Sequence, residues 1–96
     1  MKRSAEVAAQ FGRNLARCRG QAGLSQEELG YRAQVHRTEV SLLERGARTP
    51  RADTIVKLAG SIPVPVGELL AGLDWTPGRV TVVEGGFEVD GEPETS

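Results

Sequence analysis

The sequence predicts a mainly α protein, five short helices followed by a small β-hairpin, and three observations predict it. Apolar residues recur at spacings of three and four in each segment up to Leu70. Gly23, Gly46, Pro50, Pro63 and Pro65 punctuate those segments. In the tail the pattern changes to alternation, over Arg79 to Val83 and Phe87 to Asp90, around the turn sequence "EGG".

Each element has its own justification. Val7, Phe11, Leu15 and Cys18 lie about one helical turn apart and define a first helix from about Ser4 to Gln21, ending near Gly23. The second begins at "LSQEEL". Ser25 is a good N-cap and Glu28, three residues on, completes a capping box, which satisfies loose amide hydrogens and puts carboxylates at the positive end of the helix dipole. Tyr31, Arg32 and Ala33 finish this helix, and the chain turns at Gln34. "VHRTEVSLLERG" supplies a third helix, with Val35, Val40 and Leu43 inward and Gly46 closing it. Pro50 prevents continuation, and "ADTIVKLAGSI" gives a fourth with Ile55, Leu58, Ala59 and Ile62 inward. Pro63 and Pro65 break that helix. Val66, Leu69 and Leu70 mark a short fifth from Pro65 to about Ala71. In the tail, "GEPETS" reads as disordered. An isolated two-stranded hairpin is marginal in water, so this one packs on the helices with Trp75 as anchor, the favoured arrangement, or pairs with another chain. The chain thus divides into a helical domain, residues 1–74, and a hairpin with an acidic tail, residues 75–96.

Composition narrows the functional classes. A single cysteine, Cys18, cannot form an internal disulfide and shares a stripe with Phe11 and Leu15, so it reads as a small buried apolar residue. The N-terminus lacks the apolar run of a signal peptide or membrane span, which predicts a soluble cytoplasmic protein with no membrane partner. With one histidine, no metal-ligand spacing and no phosphate-cradling glycine loop, the sequence supports neither an enzyme nor a metal or cofactor site. The net charge of -1 conceals an asymmetry: Met1 to Arg51 carries ten Lys or Arg against five Asp or Glu, and Ala52 to Ser96 two against eight. A front half at +5 and a back half at -6 suggest a basic surface, contributed by the front half, with a polyanion as its possible target.

The outer face of the third helix gives that surface a shape. With Val35, Val40 and Leu43 inward, the residues His36, Arg37, Thr38, Ser41, Leu42 and Arg45 face outward. Two short helices joined by about four residues, the second exposing small polar and cationic side chains at its start, form a helix-turn-helix arrangement.

The stretch "GLSQEELGYRAQVHRTEVSLLERGARTPRADTIVKLA" resembles the lambda-repressor-like family of bacterial and phage regulators, the Cro/CI or xenobiotic-response-element type. The likeness covers about Phe11 to Leu70 and rests on an ordered set of positions. Gly23-Leu24-Ser25-Gln26 leads the second helix, Leu29 and Val35 supply core positions, and Val40-Ser41 and Leu43-Glu44 sit in the third helix before Gly46. The resemblance implies a five-helix DNA-binding domain and double-stranded DNA as partner. It implies that Gln26 touches the DNA backbone and braces the recognition helix, that Arg37 and Thr38, with Ser41 and Leu42 one turn on, present base-reading side chains, and that Arg45 meets a phosphate. It also implies that Arg19 and Glu44 form a partly buried ion pair tying the first helix to the third. His36, at the helix start, is a cap or a phosphate neighbour. Three positions depart from the pattern: Gln34 stands where the turn usually carries glycine, Gly30 replaces a small alanine, and Arg51 replaces a serine cap, leaving Thr49 or Asp53 to start the fourth helix.

The chemistry of these residues agrees. Arg37 can donate two parallel hydrogen bonds to the O6 and N7 edge of guanine, Thr38 and Ser41 can pair with several base edges, and Leu42 can pack on a thymine methyl. The expected function is a sequence-specific transcriptional regulator, a repressor acting as a homodimer on a palindromic operator. The alternative is an antitoxin-like interaction module with a protein partner and DNA binding as a secondary activity.

Overall fold

Phe11, Leu15 and Cys18, spaced one turn apart, do form the spine of the core. In the computed structural model, which describes residues 4–78 and 85–89, the first helix, α1 (Ser4–Gln21), buries them together with Ala8. Helix α2 (Gln26–Ala33) adds Leu29 and Ala33, α3 (Arg37–Glu44) adds Val40 and Leu43, and α4 (Ala52–Ser61) adds Leu58 and Ala59. Ile62 and Leu69, the latter from the single turn α5 (Val66–Leu69), close the cluster. Five leucines at 15, 29, 43, 58 and 69 are fully buried, each worth roughly 1.5–3 kcal/mol of transfer free energy. No helix among the described residues is long and apolar enough to cross a membrane.

The helix ends follow the local chemistry. The capping box before α2 is complete: the Glu28 amide donates to Ser25 Oγ at 3.0 Å, and the Ser25 amide donates to Glu28 Oε1 at 2.9 Å. At the other end Gln34 adopts the left-handed conformation, φ 57° and ψ 42°, that the turn demands of its non-glycine residue. Helix α3 is shorter than its sequence pattern, because Val35 lies in the turn and His36 is the N-cap. Arg51 caps α4 without a side-chain bond, and Asp53 in the first turn accepts the Thr54 amide instead. Within α2, Gly30 has no room for a side chain, since a Cβ there would lie 2.7 Å from the Val35 carbonyl oxygen.

The β-structure differs from the pattern read in the tail. The first strand is β1 (Leu73–Thr76), pairing antiparallel with β2 (Gly86–Val89) in the register Leu73↔Val89, Asp74↔Glu88, Trp75↔Phe87 and Thr76↔Gly86. Arg79 to Val83, where alternation suggests a strand, lies outside the described residues, as do Asp90 and the "GEPETS" end. The "LDWT" run pairs because Trp75 meets Phe87 edge to face, with ring centroids 5.2 Å apart. Gly85 lets the indole close down, since a Cβ there would fall 2.1 Å from Trp75 Cζ2. The strands pack on the helices, with Val89 buried and β2 against α1. Strand β1 starts two residues before the expected division at residues 74 and 75.

A buried amide links this sheet region to the bundle. Asn14 of α1 is fully buried and donates to the carbonyl of Leu69, the last residue of α5, at 3.0 Å and to that of Ala71, just beyond it, at 2.9 Å. Its Oδ1 accepts from Gln10 and Arg17, so all of its strong bonding capacity is used.

Candidate nucleic-acid interface

The interface is built outward from Glu44, the last residue of α3. Its side chain is 7% exposed and accepts from Arg19 Nε at 2.6 Å and Nη2 at 2.9 Å, a bidentate pair joining α1 to α3. Gln26 Nε2, from the first residue of α2, donates to the same Oε1 at 2.9 Å. Arg19 Nη1 also donates to the Leu24 carbonyl at 2.8 Å, just before the α2 cap. The hydrogen bonds that Arg19 donates to Glu44 stabilise the guanidinium and raise its pKa above the ordinary arginine value, partly opposed by burial. One carboxylate thus fixes the positions of three helices.

This brace holds the start of α3 in the open. His36 accepts the Thr38 amide on Nδ1 at 3.0 Å, which satisfies a loose donor of the first turn. Arg37 and Thr38 follow, both exposed, and with Arg19, Ser25, Gln26, Glu27 and Ser41 they line an open groove of about 660 Å³ between α2 and α3. The Arg37 Nη1 lies 3.3 Å from Glu27 Oε2, an ion pair between two exposed side chains.

Of the seven residues expected at the site, the structure brings Gln26, Arg37, Thr38 and Ser41 together along this groove. His36 lies beside it as the cap of α3. Leu42 is half-buried and does not line the groove, and Arg45 stands at the far end of α3 as its C-cap, its Nε 3.4 Å from the Ser41 carbonyl. Glu27 was not among the expected residues. It reads from sequence as a first-turn carboxylate suiting the helix dipole, and its contact with a residue ten positions away across a turn has no periodic signal. Arg48, exposed beyond α3 and paired with Glu39, escapes the same kind of reading.

Two helices in this relation, with the second presenting its capped start beside an open polar groove, define a helix-turn-helix DNA-binding domain. Comparison with known proteins agrees. A family profile described as a helix-turn-helix domain matches residues 10–60. The HTH-type transcriptional regulator y4dJ of Sinorhizobium fredii, itself uncharacterised, is 41% identical over 66 residues, covering 69% of this chain and 86% of that protein. The control protein C.BamHI of Bacillus amyloliquefaciens is 34% identical over 61 residues, covering 62% of this chain and 75% of its own length. Among solved structures, the restriction-modification controller protein C.AhdI of Aeromonas hydrophila superposes with a TM-score of 0.63 at 35% identity, over 65% of this chain and 94% of that one. The chain belongs to the helix-turn-helix domain family, and it is a DNA-binding transcriptional regulator of the Cro/CI type.

Proposed function

We propose that the chain is a repressor that binds a palindromic operator as a homodimer and reads it with the start of α3. The observation that carries this reading is the exposed pair Arg37 and Thr38 on a helix whose position Glu44 fixes through Arg19 and Gln26. A side chain held by a rigid element pays little ordering cost on binding, so its hydrogen bonds go further towards discrimination. Arg37 addresses guanine, Thr38 and Ser41 the neighbouring base edges, and half-buried Leu42 offers the edge of its side chain to a thymine methyl. His36 and Arg45 flank the groove helix and contact phosphates. Since the Gln26 side chain is committed to Glu44, its backbone amide at the open first turn of α2 supplies the phosphate contact.

The homodimer rests on two arguments. A single helix-turn-helix reads only a few base pairs, so useful specificity needs a second copy about one DNA turn away. Apolar surface also remains uncovered outside the α2–α3 groove: Leu70 and Trp75 are 37% and 56% exposed and line a shallow groove with Val7, Leu73 and Phe87. A twofold axis through this region would close it. The division of labour then follows the expected domains, with residues 1–74 holding the DNA-reading surface and the tail from Trp75 contributing to assembly.

Substitution separates the assigned roles. Arg37→Ala is expected to lower operator affinity by about 1–3 kcal/mol and to relax preference at one operator position. Arg45→Ala is expected to weaken all sequences alike and reduce the salt slope by about one unit, as loss of a phosphate contact does. Titrations of operator and scrambled duplexes over a range of salt read both effects. Equal losses on the two duplexes for both variants would remove the assignment.

A further inference from the structure

Glu27 stands in an unexpected place for a surface that meets DNA. It lines the groove between α2 and α3, where a bound duplex would bring phosphates close, and a carboxylate there opposes binding of any polyanion. Among the described residues its side chain bonds to Arg37, at 3.3 Å, and the two side chains are 75% and 68% exposed. An ion pair this exposed contributes between zero and about 1 kcal/mol to stability, so folding alone gives little reason for it.

We propose that Glu27 is a specificity-determining residue that acts by positioning Arg37, an inference that rests on the reading of Arg37 as the base-contacting side chain. The guanidinium has five N–H donors in a rigid fork, and the contact to Glu27 uses one Nη1 edge. The remaining donors keep the bidentate geometry that guanine O6 and N7 accept. On a matched operator, Arg37 donates to guanine while it stays beside Glu27, and the carboxylate remains neutralised. On unmatched DNA, Arg37 satisfies itself by swinging to a phosphate. Glu27 then loses its counter-charge next to the polyanion, and the complex is penalised. The pair therefore lowers affinity for all DNA but lowers it more for the wrong DNA, which is discrimination by a repulsive element.

A double-mutant cycle on the full chain tests this. The probes are an operator duplex recovered by selection from a randomised pool and a scrambled duplex of equal length. For the unmodified protein, Glu27→Gln, Arg37→Ala and the double variant, the Kd on each probe is measured at two salt concentrations, with circular dichroism confirming the fold. Glu27→Gln is expected to tighten scrambled DNA about three- to tenfold and the operator less, so the specificity ratio falls severalfold. With Arg37→Ala already present, the same change should tighten both probes equally and leave the ratio constant. If Arg37→Ala lowers the ratio but Glu27→Gln leaves it unchanged, Glu27 is only a repulsive surface charge and the positioning role is overturned. If Arg37→Ala leaves the ratio unchanged, the base-reading assignment fails, and the role of Glu27 fails with it.

Discussion

At the scale of residues, Glu44 and Glu28 show how differently two carboxylates of one small domain contribute. Glu44 is nearly enclosed and accepts from Arg19 twice and from Gln26 once, so Glu44→Ala strands a guanidinium and an amide together. The expected loss is about 3 kcal/mol, well above the roughly 1 kcal/mol of an exposed pair such as Glu27 with Arg37. Chemical denaturation of Glu44→Ala and of Glu27→Ala, side by side, measures the contrast; equal midpoints would place Glu44 among ordinary surface charges. Glu28, by contrast, is fully exposed, and its bonds with Ser25 hold its pKa below the ordinary glutamate value. A depressed folded pKa means that the cap stabilises α2 fully above the unfolded value and loses that contribution as pH falls through the folded one. Glu28→Gln preserves the shape of the cap without its titration, so its thermal stability should fall less steeply with acid than that of the unmodified chain. An identical acid limb in both proteins would show that the cap does not couple to folding.

Elements explain which parts of the fold could be read in advance. The start and stop chemistry was legible because it is local: Ser25 with Glu28, Gln34 in the left-handed turn, and Gly46 at φ 70° each act within a few residues. Arg37, Thr38 and Ser41 could be placed along the groove for a related reason, since knowing the inward face of α3 names the outward one. What depends on contacts between elements was not. Asn14 reads as a polar interruption of α1, yet it is buried to hold the end of α5. Strand β1 escaped because "LDWT" alternates too briefly to stand out, and its pairing depends on Phe87 eleven residues beyond Thr76. Gly12 gives the sharpest case. Helix propensity alone would make Gly12→Ala stabilising by up to about 1 kcal/mol. Instead α1 crosses α3 so closely there that a Cβ would lie 2.4 Å from the Leu43 carbonyl oxygen and 2.6 Å from that of Glu44. Backbone cannot yield as a flexible side chain does, so the helices must part, and Gly12→Ala should destabilise by roughly 1–3 kcal/mol. A raised melting midpoint for this variant would show that α1 and α3 are not in such close contact.

For the whole molecule, the charge asymmetry and the leftover apolar surface fit the proposed division into a side for DNA and a side for a second copy. The basic residues belong to the front half, ten of the twelve between Met1 and Arg51, whereas Leu70 and Trp75 lie where the chain is acidic. Leu70→Glu places a charge on that apolar groove without touching the fully buried core. It should give a monomer in sedimentation, with helical content retained and operator binding much weakened through lost effective concentration; a dimer of unchanged affinity would move the interface elsewhere. The central claim is that the start of α3 reads base sequence, twice per operator. The measurement that tests it most directly is selection of bound sites from random duplex DNA, carried out in parallel with the unmodified chain and with Arg37→Ala. The account predicts an inverted repeat with half-site centres about 10 base pairs apart, and a variant motif that loses preference at one symmetric pair of positions while keeping the rest. An identical motif from both proteins, or no enriched sequence from the unmodified chain, would contradict it.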